Sequence, residues 1–228
     1  MIWKSWQELP DDMRCEAVRP YYDILASKRR DLMIKSVFDR LVAAILLVVL
    51  SPIFLWLAVW IKLDSEGPVF FRQERITQYG KSFRIYKFRT MVQNAEELGA
   101  QVTSKGDMRV TSVGQALRKC RLDELPQLIN ILEGTMSFVG TRPEVPRYVA
   151  AYTDEMKATL LLPAGVTSVA SIRYKDEDTL LDAADDVDNC YIHKVLPAKM
   201  EWNLRSLKEF SFIGELKVMV ETVLAVIR

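Results

Sequence analysis

LVAAILLVVLSPIFLWLAVWI, Leu41–Ile61, governs how the rest of the chain is read. Its 21 residues carry no charge. As one straight helix they would measure about 31 Å, enough to cross the hydrocarbon core of a bilayer. A single-pass anchor is the plain reading, and two features oppose it. Ser51-Pro52 sits at the centre, where proline removes a backbone donor and crowds the preceding turn, so a bend is expected. Each leg then measures about 15 Å, half a bilayer. The second feature is charge. Lys28, Arg29, Arg30, Lys35 and Arg40 precede the segment, and Lys62, Arg72, Arg75 and Lys81 follow it. Basic flanks favour the cytosolic face, so a segment that enters and returns to the same face satisfies both. The Ser51 hydroxyl is placed to bond a carbonyl that Pro52 leaves free. Proline also occurs in spanning helices, so both topologies stand on these residues, with the re-entrant one favoured.

Around this segment the chain has globular statistics. Of 228 residues, 50% are hydrophobic and 27% charged, enough for one sizeable domain. The formal net charge of +1 lacks the basic excess of a nucleic-acid binder. Cys15, Cys120 and Cys190 are odd in number and far apart, neither a disulfide framework nor a zinc site, and reduced thiols in a cytosolic protein are expected. His193 is the single histidine and is read as structural. Met1–Pro20 has no apolar core, so no secretory signal is expected there.

The expected fold class is α+β and mainly helical: a re-entrant membrane helix, a small β-hairpin and amphipathic interfacial helices. Residues 1–34 form a helical extension, 35–64 the helix-break-helix and 65–228 a cytosolic catalytic domain. Trp3, Trp6, Tyr21 and Tyr22 fit either a membrane interface or a core cover. Val69–Ile76 and Ser82–Met91, rich in β-branched and aromatic residues, flank Tyr79-Gly80 and read as the hairpin. Helices are expected at Gln93–Gly99, Ser112–Cys120, Asp123–Leu132, Glu144–Leu162, Tyr191–Phe210 and Phe212–Arg228. The last carries an apolar stripe suited to core packing or to the interface. The acidic run Lys175–Asp188 fits a solvated loop better than a cation site.

The chemistry concentrates between Asp107 and Pro143. In Arg121-Leu122-Asp123-Glu124-Leu125-Pro126 the proline suits a helix's first turn, which puts Asp123 at the cap and Glu124 just inside. Acids at a helix start are ordinary, and capping alone explains them in isolation. The same geometry also suits phosphoryl transfer. One exposed carboxylate can attack phosphorus, and its neighbour can hold Mg²⁺, which bridges phosphates. Arg109, Arg118, Arg121 and Arg142 lie close in sequence, and guanidinium groups match phosphate oxygens in pairs. Lys87 and Arg89 add two cations from the hairpin. The chain has no Walker A loop and no kinase catalytic loop, so it is not a standard nucleoside-triphosphate enzyme.

Taken together, Ser51-Pro52, GPVFFRQER (67–75), YKFRTM (86–91), DMRVT (107–111), RLDELPQLINIL (121–132) and MSFVGTRPE (136–144) resemble the bacterial sugar transferases known as monotopic polyprenyl-phosphate phosphoglycosyl transferases. The pieces occur in family order over roughly residues 35–228. The resemblance implies transfer of a sugar-1-phosphate from a UDP-sugar to undecaprenyl phosphate with release of UMP. That is the first membrane step of a capsule, exopolysaccharide, O-antigen or glycoprotein glycan. It implies Asp123 as nucleophile and Glu124 as Mg²⁺ ligand. Lys87, Arg89, Arg118, Arg142 and Pro143 would meet the substrate, and Ser51 and Pro52 would break the membrane helix. It further implies residence on the inner leaflet of the cytoplasmic membrane, both termini cytosolic, in contact with inner-membrane lipid. No nucleic acid polymer is expected as a partner, and a homodimer is compatible. Pro163-Ala164-Gly165-Val166-Thr167-Ser168 departs from the family's Pro-Gly-Ile-Thr-Gly by an inserted alanine and a missing second glycine. That loop bears on sugar or nucleotide choice, so the sugar is not implied. A non-enzymatic membrane scaffold and a direct transfer without a covalent intermediate stand as rivals.

Overall fold

The computed structural model describes residues 3–95, 107–174, 180–181, 184 and 186–227. Two short 3-10 turns, Trp6–Glu8 and Asp11–Met13, lead into α1, Arg19–Ser27. The apolar segment is not one rod. α2, Arg29–Val49, and α3, Ser51–Asp64, meet at Leu50 with a bend of 62°. Ser51 Oγ donates to Val48 O at 2.8 Å. That carbonyl stands four residues before Pro52, where the missing N–H would have bonded. No single described helix is long and apolar enough to cross a membrane, whereas the bent pair taken together has the length and composition.

α2 is divided lengthwise. Leu32, Lys35, Asp39 and Ala43 recur at helical spacing and are buried. Ile34, Val37, Leu41, Ile45 and Val48 follow the opposite stripe and are exposed. On α3, Leu57 and Ile61 face inward, while Leu55, Trp56, Val59 and Leu63 are exposed. The inner faces pack on two separate clusters. Ala43, Leu46, Leu47 and Leu50 meet Phe83, Ile85, Leu128 and Ile131. Leu57, Ile61 and Phe54 meet Phe88, Val113 and Leu117.

The hairpin forms as expected. β1, Phe70–Ile76, pairs antiparallel with β2, Ser82–Phe88, through a turn at Gln78–Gly80. Tyr79 holds a left-handed φ of 59° there, an unusual conformation for a side-chain-bearing residue. Its ring is buried, and its hydroxyl accepts from Lys4 N at 3.1 Å. Thus residues near the N-terminus steady the hairpin tip. Trp3 and Trp6 pack on Tyr22, with ring centroids 5.3 and 5.1 Å apart. Leu9, Met13, Tyr21 and Leu25 join Tyr148, Leu161, Val195 and Met200 in one cluster. These aromatic residues cover the core; they do not form an exposed belt.

After α4, Ser112–Lys119, the helix expected from Asp123 begins only at Gln127. Arg121 adopts a left-handed φ of 52°, which turns the chain into a 3-10 turn at Leu122–Glu124 before α5, Gln127–Glu133. Pro126, not Asp123, is the cap residue. The expected helix Glu144–Leu162 is likewise broken, into α6, Pro146–Val149, and a 3-10 run, Met156–Leu161. The second half is buried at successive residues, so it carries no one-sided stripe.

A second sheet was not expected. β3, Met136–Val139, pairs parallel with β4, Ala164–Thr167. Both strands are four residues long and buried on both faces, so no alternation marks them. Gly140 and Gly165 lie backbone to backbone: a Cβ on Gly165 would fall on the Gly140 main chain, and one on Gly140 would meet the Pro163 carbonyl.

The chain closes with α7, Val169–Arg173, α8, Val187–Cys190, α9, Leu196–Lys208, and α10, Phe212–Ile227. Tyr191–Val195 is a π turn, consistent with Pro197 withholding the donor that would meet the His193 carbonyl. Most acids of the Lys175–Asp188 run, and the bulk of Gln93–Gly99, lie outside the described residues.

A buried ionic cluster fixes α2 to the domain. Lys35 Nζ donates to Asp39 Oδ2 at 3.1 Å, and Ser137 Oγ of β3 donates to the same oxygen at 2.6 Å. Lys35 also pairs with Glu215 of α10. One cation thus faces two carboxylates. Burial, with Asp39 adding repulsion, outweighs Lys35 and pushes the Glu215 carboxyl up to about 7 from an ordinary 4.5. Between those values the unfolded chain loses a proton that the fold retains. Stability therefore falls as pH rises from 4.5 to 7, by at most about 3 kcal/mol, and levels off above. Glu215→Gln should flatten that fall, read as melting temperature of the detergent-solubilised chain at pH 5 and 7.5. An undiminished fall in the variant would remove Glu215 as its source.

Candidate active site

The dyad lies on the 3-10 turn between α4 and α5, facing one side of the hairpin. Pairing opposes Phe71 to Lys87, Gln73 to Ile85 and Arg75 to Phe83, so these six side chains share a face. α5 holds that face in register through Asn130, which is fully buried. Its Oδ1 accepts from Tyr86 N at 2.8 Å and its Nδ2 donates to Arg84 O at 3.1 Å. An asparagine thereby covers the outer edge of β2 that would otherwise lack partners. The turn carrying the dyad is continuous with α5, so Lys87 and Glu124 are brought to a fixed separation.

Glu124 is the centre of the pairing. Its Oε1 accepts from Lys87 Nζ at 3.1 Å and from Arg142 Nη2 at 2.5 Å. Burial would raise its pKa, but the two cations prevail and hold it well below the usual carboxylate range. Arg142 is correspondingly raised, chiefly by Glu124. Burial lowers Lys87, partly offset by Glu124.

Asp123 behaves differently. It is 9% exposed, and no described residue donates a hydrogen bond or forms an ion pair with its carboxylate. Burial pushes its pKa up, and Lys87, Arg118 and Arg142 oppose the rise from a distance. Two adjacent carboxylates are therefore driven in opposite directions. One is locked as an anion between cations, and the other is left uncommitted and more basic than usual.

The other expected residues fall into two groups. Arg118, on α4, acts on Asp123 through its charge, while its Nε donates to Thr90 Oγ1 at 2.9 Å. Pro143 presents its carbonyl to Arg75 Nη1 at 3.0 Å. Arg89 is turned elsewhere: its Nη2 reaches Ser65 O at 2.6 Å and Ser65 Oγ at 2.9 Å. Beyond the end of β2 the face that carries Lys87 is covered by the exit of α3, so Arg89 closes that loop and does not reach the dyad. Arg109 is committed to Asp107. Asn130, Thr90 and Arg75 escaped the sequence reading. Asn130 and Thr90 have no charge to attract notice, and Arg75 counted only as a flanking cation.

Among the described residues no cluster of three or more His, Cys, Asp or Glu side chains forms a protein-only metal cage. A single carboxylate of the dyad fits Mg²⁺ nonetheless, because that ion usually takes one or two carboxylates and completes its shell with phosphate oxygens and water. Glu124 is the residue that would hold it.

Known proteins resemble this chain in sequence. The sequence model for bacterial sugar transferases matches residues 30–228. A UDP-N-acetylgalactosamine-undecaprenyl-phosphate N-acetylgalactosaminephosphotransferase of Aeromonas hydrophila is 38% identical over 193 residues, covering 83% of this chain and 43% of that protein. A UDP-glucose:undecaprenyl-phosphate glucose-1-phosphate transferase of Escherichia coli (strain K12) is 33% identical over 218 residues, covering 93% of this chain and 44% of that one. A putative undecaprenyl-phosphate N-acetylgalactosaminyl 1-phosphate transferase of Bacillus subtilis (strain 168) is 42% identical over 127 residues, 56% of this chain and 71% of that protein. The chain spans less than half the length of the first two relatives. With a match that takes in the bent helix pair, the hairpin and the dyad, the chain belongs to the bacterial sugar transferase family.

Proposed function

We propose that this chain transfers a sugar-1-phosphate from a UDP-sugar to undecaprenyl phosphate, releasing UMP, by way of a phosphosugar carried on Asp123. The observation that carries the reading is the division within the dyad. Glu124 is neutralised by Lys87 and Arg142, whereas Asp123 has no hydrogen-bond donor among the described residues to restrain it. A carboxylate with a raised pKa is a stronger nucleophile than an ordinary one. The relatives named for sugar-phosphate transfer to undecaprenyl phosphate support the overall transfer.

In the first step an Asp123 carboxylate oxygen attacks the phosphorus that bears the sugar. A bond forms between that oxygen and phosphorus, and the bond to the UMP oxygen breaks with its electron pair leaving on UMP. In the second step a phosphate oxygen of the lipid attacks the same phosphorus, and the Asp123 carboxylate is released. Lys87, Arg118 and Arg142 surround the place where negative charge accumulates, so the site is prepared before the substrate arrives. Bound Mg²⁺ would supply charge neutralisation on the phosphate oxygens.

The membrane reading joins this site to its lipid substrate. The outer stripes of α2 and α3 expose apolar side chains on both legs of a 62° bend, and a surface of that kind marks a lipid contact. The pair enters the cytosolic leaflet and turns back within it, which holds the dyad near headgroup height. Exposed Ile213, Val220, Val223 and Leu224 on α10 extend the same apolar surface as an interfacial helix.

Four outcomes are expected. Incubation of membranes with undecaprenyl phosphate, Mg²⁺ and a panel of UDP-sugars should release UMP with at least one sugar. Asp123→Asn should lower that turnover by at least about a thousandfold and abolish trapping of radiolabelled sugar phosphate on the protein. Glu124→Gln should cost about a hundredfold; full trapping on Asp123→Asn would refute Asp123 as the residue that carries the phosphosugar, and failure to trap on the unmodified chain would refute the covalent route. Tags at residues 1 and 228 should both label from the cytosolic side, and labelling of either from the periplasm would overturn the re-entrant topology.

A further inference from the structure

The Arg75 side chain shares the hairpin face with Lys87 but does not touch the dyad. Its guanidinium is divided between two partners. Nε and Nη2 donate to Gln73 Oε1 at 3.0 and 2.6 Å, and Nη1 donates to the Pro143 carbonyl at 3.0 Å. The next residue repeats the grip: Ile76 N donates to Glu144 O at 2.9 Å. The end of β1 therefore holds the backbone of residues 143 and 144 at two successive carbonyls. On the other side, Gly165 N donates to Thr141 O at 2.9 Å and Gly140 N donates to Thr167 O at 3.0 Å. Between these two holds lies one residue, Arg142, whose guanidinium reaches Glu124.

This stretch is irregular backbone, without a helix or ladder of its own to aim a side chain. Direction must come from outside the segment. The β4 contacts fix its start and are purely backbone, so they do not depend on which side chains are present. At its end Ile76 N holds the Glu144 carbonyl, and Arg75 supplies the donor directed at Pro143 O, the carbonyl next to Arg142. Gln73 Oε1 accepts from both N–H groups of the Nε–Nη2 edge of the fork, which holds the guanidinium in one orientation. The Glu144 carboxylate is held separately by the Tyr191 hydroxyl at 2.5 Å, so the residue after Pro143 is anchored through side chain as well as backbone.

We propose that Arg75 is a positioning residue: by clamping the Pro143 carbonyl it aims Arg142 at Glu124 and at the substrate phosphates. The proposal rests on the transfer reaction above for its kinetic consequence, but not for its structural one. Loss of the clamp lets Arg142 swing while leaving the hairpin, α5 and both apolar clusters beneath them in place. A misplacement of about 1 Å at such a site costs on the order of a hundredfold in rate.

The test uses the full chain in detergent, with Arg75→Met, Arg75→Lys and Arg142→Met, singly and combined. Arg75→Met should lower kcat by tenfold to a hundredfold, at an order-of-magnitude estimate, with a change of less than about threefold in KM. In the Arg142→Met background the same change should cost less than about threefold, because the residue being aimed is gone. Arg75→Lys should recover part of the loss, since one ammonium donor can still meet Pro143 O. Additive losses in the double variant would show that Arg75 acts independently of Arg142 and overturn the proposal. A second cycle needs no turnover. Coupling between Arg142→Met and Glu124→Gln in melting temperature should be present in the parent chain and vanish in the Arg75→Met background. Undiminished coupling there overturns the proposal too. If no UDP-sugar gives turnover in the unmodified chain, the transfer reaction fails, and this second cycle still decides the role of Arg75.

Discussion

Everything around the site depends on one carboxylate, Glu124, shared between two cations from distant parts of the chain. Lys87 comes from the hairpin and Arg142 from the irregular stretch after β3, and both reach Oε1. A buried anion or cation alone would be costly, and their mutual pairing is what makes the cluster tolerable. Removing any member leaves a charge in a poorly solvated place. The pairing therefore constrains three segments at once: the hairpin, the 3-10 turn and the 140–144 stretch. Asn130 and Arg75 act on the same three segments by neutral or backbone-directed bonds. Electrostatics chooses the arrangement, and hydrogen bonds to backbone keep it from drifting.

That constraint also explains why adjacent carboxylates differ. Asp123 and Glu124 are neighbours on a tight turn, and their side chains diverge. Glu124 points to where Lys87 and Arg142 converge, which satisfies both cations and leaves them little reason to turn to Asp123. Asp123 then meets burial without a hydrogen-bonded partner, and its pKa moves up. Had the dyad stood at the start of a regular helix, Asp123 would have capped the backbone amides and been stabilised as an anion. The left-handed Arg121 instead opens a 3-10 turn that carries Asp123, and the regular helix starts only after Pro126. A left-handed residue two positions before Asp123 is a local expense that the surrounding contacts must hold.

The sequence revealed elements whose signal is periodic or local. The hairpin showed through its β-branched and aromatic runs and its Tyr79-Gly80 turn. The bend showed through Ser51-Pro52, and the observed bond from Ser51 to Val48 O follows from the donor that proline lacks. Charged members of the site were legible because cations and acids are rare together without cause. What was hidden depended on contacts distant in sequence. Asn130 gives no outward sign that it will cover a strand edge, and the four-residue strands β3 and β4 have no alternation because both faces are buried. Arg89 was expected at the substrate and Arg75 only among the flanking cations. The end of the sheet separates them, sending one to Ser65 and the other to Pro143. Asp123 as a cap residue failed for a backbone reason, the positive φ at Arg121, which side-chain chemistry does not announce.

The same logic links the site to the bent helix pair. α2 is apolar outside and carries Lys35 and Asp39 inside, so its lower half belongs to the domain as much as to the apolar segment. Asp39 accepts from Ser137, and Ser137 lies on the strand that runs directly into Gly140 and Arg142. A shift of α2 along its own axis would have to break this bond or carry β3 with it. Close packing of Gly140 on Gly165 leaves β3 no room to move sideways. The height of the apolar pair and the direction of Arg142 are therefore one mechanical quantity. For the proposed reaction, whose two substrates come from water and from lipid, such coupling would keep Asp123 at a fixed position relative to the apolar pair.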